Sequence, residues 1–353
     1  MMPLKVSRSS LLGLFDLVSK CGEDLQPLLV AEPKINWNPW LGVHARDPAF
    51  QHKKMVHQVL IQVAANAVVF AGSKGEADLV SSHGRFVWYE LMTTDIETAK
   101  AFYAHVVGWG TRDASAPGLA YSLFTTGDSP VAGLMNVPEG ARRTGVTPQW
   151  MGYVEVDDVD AAVGRIKQLG GAVHVPPTDL PNISRFSVVA DPQMATLALV
   201  KGQNSGRAQS AELGARGRVG WHELLATDWE TAFAFYGELF GWQKADSHTG
   251  MMGTYQGFSA GGKTIGGMLT KPATLPLPFW LYYFNTDDVQ AAAKRVEAGG
   301  GQILYGPTAV PGGAWIVHCT DPQGAIFALL DRRVRKAFVY FDRAASRDPP
   351  KSL

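Results

Sequence analysis

Charge of one sign is what this 353-residue chain lacks: 32 basic and 32 acidic side chains cancel, and charged residues make up only 18% of the total. Without a basic surplus there is no electrostatic footprint for unspecific nucleic-acid binding or for adhesion to an anionic membrane. Cysteine is nearly absent. Cys21 and Cys319 are too few and too far apart for a disulfide framework or a cysteine-rich zinc site, so a reducing, cytoplasmic setting is expected. There is no Gly-x-Ser-x-Gly elbow, and the glycine-rich stretch 259–263 leads into no P-loop helix. Long apolar runs are also scarce. Asp16 interrupts the one that follows Lys5 and Arg8, with no small-residue cleavage site after it. In the stretch 55–72, Gln58, Gln62 and Asn66 recur at every fourth position, which predicts an amphipathic helix rather than a membrane span.

What is present is an internal repeat. Residues 88–109 read WYELMTTDIETAKAFYAHVVGW and residues 221–242 read WHELLATDWETAFAFYGELFGW, identical at 13 of 22 positions with a constant offset of 133. The echo resumes at an offset of 130. Trp150 matches Trp280, Asp157 and Asp158 match Asp287 and Asp288, Arg165 matches Arg295, and the Asp-Pro-Gln at 191–193 matches that at 321–323. The chain therefore divides into a helical appendage (1–83), a first repeat (84–202), a small polar linker (203–216), a second repeat (217–332) and a polar tail (333–353). The appendage is read as docking on the repeats or mediating self-association, with a plain spacer as the alternative.

Each repeat falls into two similar halves. In the first halves a strand meets an acidic turn, where Thr94 with Glu97 and Thr227 with Glu230 have the spacing of a capping box. Apolar residues at helical spacing follow until Gly108 and Gly241 stop the helix. In the second halves, alanine-rich helices over 159–169 and 289–298 end at glycine pairs. Strand-like runs come after each helix, such as 121–125, 131–135, 186–190 and 196–200. The unit is βαβββ in four copies, an α+β fold class.

The phrase TDIETAKAFY…GW, the second-half phrase VEVDDVDAAVGRIKQLGG and the DPQ turn before the last strand resemble the vicinal oxygen chelate superfamily, in its branch related to lactoylglutathione lyase and bleomycin-resistance proteins. The resemblance covers about residues 85–332. It implies tandem glyoxalase-like domains, each a cup-shaped mixed sheet with the ligand in the cup and helices on the convex side. It also implies a divalent metal held by His, Gln or Glu on the first strand of each unit and the last strand of each domain, where the open coordination site would bind substrate oxygens. In this chain those positions are Trp88, Trp221, Met151, Leu281, Ala198 and Ala328, none of which can ligate such an ion. The expectation is no metal, no cofactor, and neither glyoxalase I nor extradiol dioxygenase activity.

Strand alternation puts Trp88 with Glu90, and Trp221 with Glu223, on the face that would present a ligand. An indole can stack on a ligand, and a carboxyl buried in an apolar cup has its pKa raised toward the range of a general acid or base. Glu90 and Glu223 are the candidate catalytic residues, with Trp88, Trp221, Tyr153 and Tyr283 as candidate substrate contacts. The structural alternative pairs each carboxylate with an arginine or a backbone amide. Parity turns His222 toward the helices, and both His222 and His318 are read as satisfied structural histidines. Three functions stay open: a metal-independent lyase, isomerase or oxygenase acting on a small organic molecule; a sequestering protein without turnover; and a metal-dependent dioxygenase using His222, His318 and Glu223. No nucleic-acid or membrane partner is expected, and a homo-oligomer would form through the N-terminal helices.

Overall fold

The structure, a computed structural model, describes residues 82–115, 120–143, 145–180, 184–202, 214–250 and 253–332. The predicted N-terminal helices, most of the linker and the tail beyond Arg332 lie outside them. In the first repeat the elements are β1 (Phe86–Thr93), α1 (Ile96–Val106), β2 (Gly110–Asp113), β3 (Tyr121–Thr126), β4 (Ser129–Asn136), a short α2 (Glu139–Arg143), β5 (Gln149–Glu155), α3 (Val159–Gln168), β6 (Ala172–Leu180), β7 (Ser184–Ala190) and β8 (Thr196–Gly202). The second contains β9 (Val219–Ala226), α4 (Trp229–Phe240), β10 (Gln243–Gly250), β11 (Gly253–Ala260), β12 (Lys263–Thr270), β13 (Phe279–Asn285), α5 (Val289–Ala298), β14 (Gln302–Ala309), β15 (Trp315–Thr320) and β16 (Ile326–Asp331). Four βαβββ units are thus present. Each pair forms one eight-stranded mixed sheet, in the orders β2-β3-β4-β1-β5-β8-β7-β6 and β10-β11-β12-β9-β13-β16-β15-β14. No helix among the described residues is long and apolar enough to cross a membrane.

The two faces of each sheet bury different things. Tyr89 and Leu91 of β1 point to the helical side with Ala99, Phe102, Tyr103 and Val106 of α1, in a core continuous with the corresponding residues of the second repeat. Their neighbours Trp88 and Met92 point into a separate apolar cluster with Tyr121, Leu123, Met135, Met151 and Tyr153, which is the concave side. Period-two alternation therefore sorts the strands as expected.

One expectation fails in detail. The helix caps are Asp95 and Asp228, not Thr94 and Thr227: Asp95 Oδ1 accepts from Thr98 N at 3.1 Å, and Asp228 Oδ1 accepts from Glu230 N at 3.2 Å. Each helix starts one residue later than a threonine cap would require, and the aspartate carboxylate reaches the free amides of the first turn, where its charge suits the helix dipole. Asp95→Ala should lower the urea unfolding midpoint, while Thr94→Ala, at an exposed position, should leave it almost unchanged.

The repeats clasp each other reciprocally through their helical sides. Trp109 Nε1 donates to Gly217 O at 2.7 Å, and its counterpart Trp242 Nε1 donates to Gly84 O at 2.6 Å. The repeated Asp-Pro-Gln turn also serves this clasp. Asp321 holds its own turn through the amides of Gln323 and Ala325 and accepts from Tyr103 of the other repeat at 3.2 Å; Asp191 does the same with Gln193, Ala195 and Tyr236, the last at 3.0 Å. Phe102 and Tyr103 pack edge-on against Phe327. The paired contacts describe an isologous interface about an internal two-fold axis.

Candidate functional site

The first cup is organised by β1 and its two sheet neighbours. Glu90 lies level with Gly133 of β4 and Met151 of β5, and Trp88 lies opposite Tyr153, which in turn lies beside Ala198 of β8. Tyr121 of β3 crosses toward the same place. Its ring covers Gly133, where an added Cβ would stand 1.9 Å from the tyrosine hydroxyl, so the glycine makes room for the phenol. Glu90 is only 3% exposed. Its Oε2 accepts from Tyr153 OH at 2.5 Å, whereas Oε1 has no hydrogen-bond partner among the described residues. Burial pushes the Glu90 carboxyl up to about 7, against the opposing effect of the Tyr153 hydrogen bond. The Trp88 indole N–H is directed at the Tyr121 hydroxyl and favours its ionised form, yet neither atom completes a hydrogen bond of normal geometry. Burial first, and then the charge of Glu90, hold the Tyr121 and Tyr153 phenols well above their ordinary range.

The second cup repeats the frame with different chemistry. Glu223 lies level with Gly267 and Leu281, and Trp221 opposite Tyr283, beside Ala328 and then His318. Trp221 Nε1 donates to Tyr255 OH at 2.6 Å, and the Tyr255 and Tyr283 hydroxyls favour the ionised form of Glu223 against its burial. Tyr283 OH also lies 2.7 Å from His318 Nε2. A phenol has one hydrogen, so when Tyr283 donates to the carboxylate, His318 is the donor to Tyr283. Burial pushes Glu223 up to about 7 and His318 down to about 4. The Arg332 guanidinium covers the Trp221 ring at 5.9 Å and donates to Gly220 O.

The candidate residues of the two repeats are thus brought together in two clusters, Trp88, Glu90 and Tyr153 in one cup and Trp221, Glu223 and Tyr283 in the other. The carboxylates meet tyrosine hydroxyls rather than the arginine or backbone amide of the structural alternative. Trp150, Trp280 and Tyr282, by contrast, face the helical side, with Trp150 Nε1 donating to Tyr103 OH. Cys319 is fully buried with its thiol pushed up to about 12, an ordinary core residue. Tyr121 and Tyr255 complete the two clusters, and sequence reasoning passes over both.

His222 does not join Glu223. It turns to the interface between the repeats, stacks on Phe86 at 4.2 Å, and bonds through Nδ1 to Ile265 O at 2.7 Å and through Nε2 to Tyr89 OH at 2.6 Å. A carbonyl can only accept, so Nδ1 carries the hydrogen and Nε2 accepts from Tyr89. This geometry rules out the ligand set His222, His318 and Glu223. Among the described residues no three or more His, Cys, Asp or Glu side chains gather where they could hold a metal ion. Glu90 stands level with Met151, and Trp88 with Tyr153, and the described polar groups nearest them are phenols held in their protonated form. The donors of the first cup do not fit a divalent ion.

Comparison with known proteins agrees with the four-unit architecture. The family model described as glyoxalase/bleomycin resistance protein/dioxygenase superfamily matches residues 85–199 and again 218–329. The Mycobacterium tuberculosis protein CFP32, which is named as a glyoxylase, is 34% identical over 245 residues, covering 69% of this chain and 93% of that one. The anthracycline biosynthesis protein DnrV of Streptomyces peucetius is 29% identical over 264 residues, covering 71% of this chain and 94% of its own. Among solved structures, 2,2',3-trihydroxybiphenyl 1,2-dioxygenase from Sphingomonas wittichii superposes with a TM-score of 0.52 at 13% identity, covering 71% of this chain and 91% of that one, a likeness of fold alone. With two matched domains, paired βαβββ units in each and relatives spanning both repeats, the chain belongs to the glyoxalase/bleomycin resistance protein/dioxygenase superfamily.

Proposed function

We propose that the protein is a metal-independent enzyme of the lyase, isomerase or oxygenase type that binds a small organic molecule in its cups, with Glu90 or Glu223 handling protons and Trp88 or Trp221, with Tyr153 or Tyr283, contacting the substrate. One observation carries this reading: a glutamate in an apolar cup, brought by burial to about 7, whose Oε1 has no hydrogen-bond partner among the described residues. Such a group is divided between acid and base at neutral pH, which is where proton transfer is most effective. Tyr153 holds Oε2 and so leaves Oε1 to the substrate. In the step that suits this geometry, the carboxylate takes a proton from a carbon beside a carbonyl. The bonding pair moves into the carbonyl to give an enolate, and the proton is returned to a different carbon or to a leaving group. The Tyr121 hydroxyl and the Trp88 N–H are the donors available to the enolate oxygen. The glyoxylase and anthracycline-biosynthesis names carried by relatives support an oxygenated substrate. A reducing, cytoplasmic setting suits the free, buried Cys319.

The test is deuterium exchange. Chelator-treated protein is incubated in D2O with a panel of small ketones and hydroxyketones, and incorporation beside the carbonyl is followed by mass spectrometry. Incorporation should survive chelation and fall at least 100-fold in Glu90→Gln or in Glu223→Gln. Bound ligands that never exchange would favour a sequestering cup instead, and restoration by an added divalent ion would refute metal independence.

A further inference from the structure

The two cups share a frame and differ in whether their polar atoms are already spent on one another. In the second, Trp221 donates to Tyr255 and Tyr283 pairs with His318, both phenols favour the ionised form of Glu223 between them, and Arg332 lies over the indole. In the first, the same places hold Trp88, Tyr121, Glu90, Tyr153 and Val188, and a single bond from Tyr153 to Glu90 is made. Among the described residues Trp88 Nε1, Tyr121 OH and Glu90 Oε1 are left buried without hydrogen-bond partners. Tyr121 is 1% exposed and Glu90 3%, so bulk solvent does not satisfy them. Leaving three such atoms unmet in a folded protein costs roughly 1–3 kcal/mol each, and so large a deficit at one spot calls for a ligand that meets it.

Two substitutions along the chain contribute to the difference. Val188 stands where the other repeat has His318, so Tyr153 has no second partner on β7. Gly202, the last residue of β8, occupies the place of Arg332, which follows the end of β16, so this end of β8 brings no guanidinium to Trp88. The walls of the first cup are Met92, Met135, Met151 and Phe186, thioethers and a ring that adapt to a flat apolar body.

We infer that the first cup alone is the ligand-binding cup, and that its ligand is a neutral, flat molecule with one oxygen that accepts from Tyr121 and Trp88 and one hydroxyl that bonds to Glu90; the second cup is closed upon itself and supports the fold. A cation is excluded as the expected ligand because Tyr121 and Trp88 present donors, and an anion because Glu90 shares its negative charge with the same space. This assignment rests on the proposed function for its choice of Glu90, but concerns occupancy and not chemistry.

The probe is 1-hydroxyanthraquinone, flat and neutral, with a hydroxyl and carbonyl oxygens, titrated into the full-length protein by absorbance and by quenching of tryptophan fluorescence. The expected result is one equivalent bound per chain, about 10-fold weaker in Tyr121→Phe, the loss of one hydrogen bond, and within two-fold of wild type in Tyr255→Phe. Thermal melts supply a second readout free of any ligand. Tyr121→Phe removes an unmet hydroxyl and should melt at or above wild type, whereas Tyr255→Phe takes away the acceptor of Trp221 and should melt below it. Two equivalents per chain, or affinity that follows Tyr255 and not Tyr121, would overturn the assignment to the first cup. Absence of saturable binding would overturn the ligand class, and deuterium exchange on the ketone panel would then still judge the proton-transfer reading separately.

Discussion

Replacing Glu90 and Glu223 together by glutamine should turn a nearly flat stability profile between pH 4.5 and 6.5 into one that falls steeply on acidification. Both carboxyls sit at about 7 in the folded chain against an ordinary 4.5, because burial disfavours their ionised forms. Across that interval the unfolded chain releases two protons that the folded chain retains, so their contribution to stability is complete below 4.5 and is lost as pH rises to 7. The linkage amounts to roughly 3 kcal/mol for each carboxyl. His222 and His318 work in the opposite sense. Burial lowers both to about 4 from 6.5, so the unfolded chain takes up protons that the folded chain refuses, and stability is lost as pH falls from 6.5 toward 4. Two groups of each kind oppose each other over the same interval at about 1.4 kcal/mol per pH unit each. In the double variant the two histidines are no longer opposed by the cup carboxyls. Urea unfolding of both proteins at half-unit steps from pH 4.5 to 8 measures this directly: the variant should gain on wild type by several kcal/mol between the ends. Parallel profiles would mean that the cup carboxyls ionise as freely folded as unfolded, and the acid–base reading of Glu90 would go with them.

How much of this is legible in the sequence depends on what each feature rests upon. Strand parity needs only the chain itself, which is why Trp88 and Glu90 separate correctly from Tyr89 and Leu91, and why parity alone suffices to turn His222 away from the cup. Register between strands is a different matter. Tyr121 and Tyr255 reach the site from β3 and β11, two residues before the partners of Gly133 and Gly267, and no local pattern joins them to Glu90 or Glu223. The available signal is the glycine in the middle of each β4-type strand, which reads as close packing in general and is in fact the seat of a tyrosine ring. His318 shows a similar limit: it is hydrogen-bonded, as a structural histidine should be, but its partner Tyr283 makes it a cup residue. The Asp-Pro-Gln motif stands out at once as a repeat, yet half of its purpose lies in the other repeat, where Tyr103 and Tyr236 meet it. Contacts of that kind depend on how two domains dock, and short-range patterns hold no record of docking.

The first repeat produced alone, as residues 84–202, should fail to give a folded monomer. Its helical face would expose Phe86, Tyr89, Phe102, Tyr103 and Trp109, which in the full chain lie against His222, Trp280, Tyr282, Phe284 and Phe327. At roughly 2 kcal/mol for each large side chain returned to water, the loss approaches the 5–15 kcal/mol by which a whole domain is ordinarily stable. Pairing with a second copy of itself would recover part of this, because the interface is isologous, but the axis has diverged in a way that favours the other repeat. Gly152 donates its amide to Tyr282 OH at 2.7 Å, and Tyr282 is the residue that occupies the place of Gly152 in the second repeat. A self-paired first repeat would set glycine against glycine, leaving a cavity where the Tyr282 ring belongs; a self-paired second repeat would set two tyrosines into the space of one. Tyr89 and His222 follow the same rule, a donor on one side and an acceptor on the other. Refolding 84–202 with 214–332 as separate chains should therefore yield the one-to-one complex in preference to either self-pair, as size-exclusion chromatography with mass spectrometry would record. A cooperatively melting monomer of 84–202 would defeat this expectation, since it would show that each sheet holds its own core without the helices and rings of its neighbour.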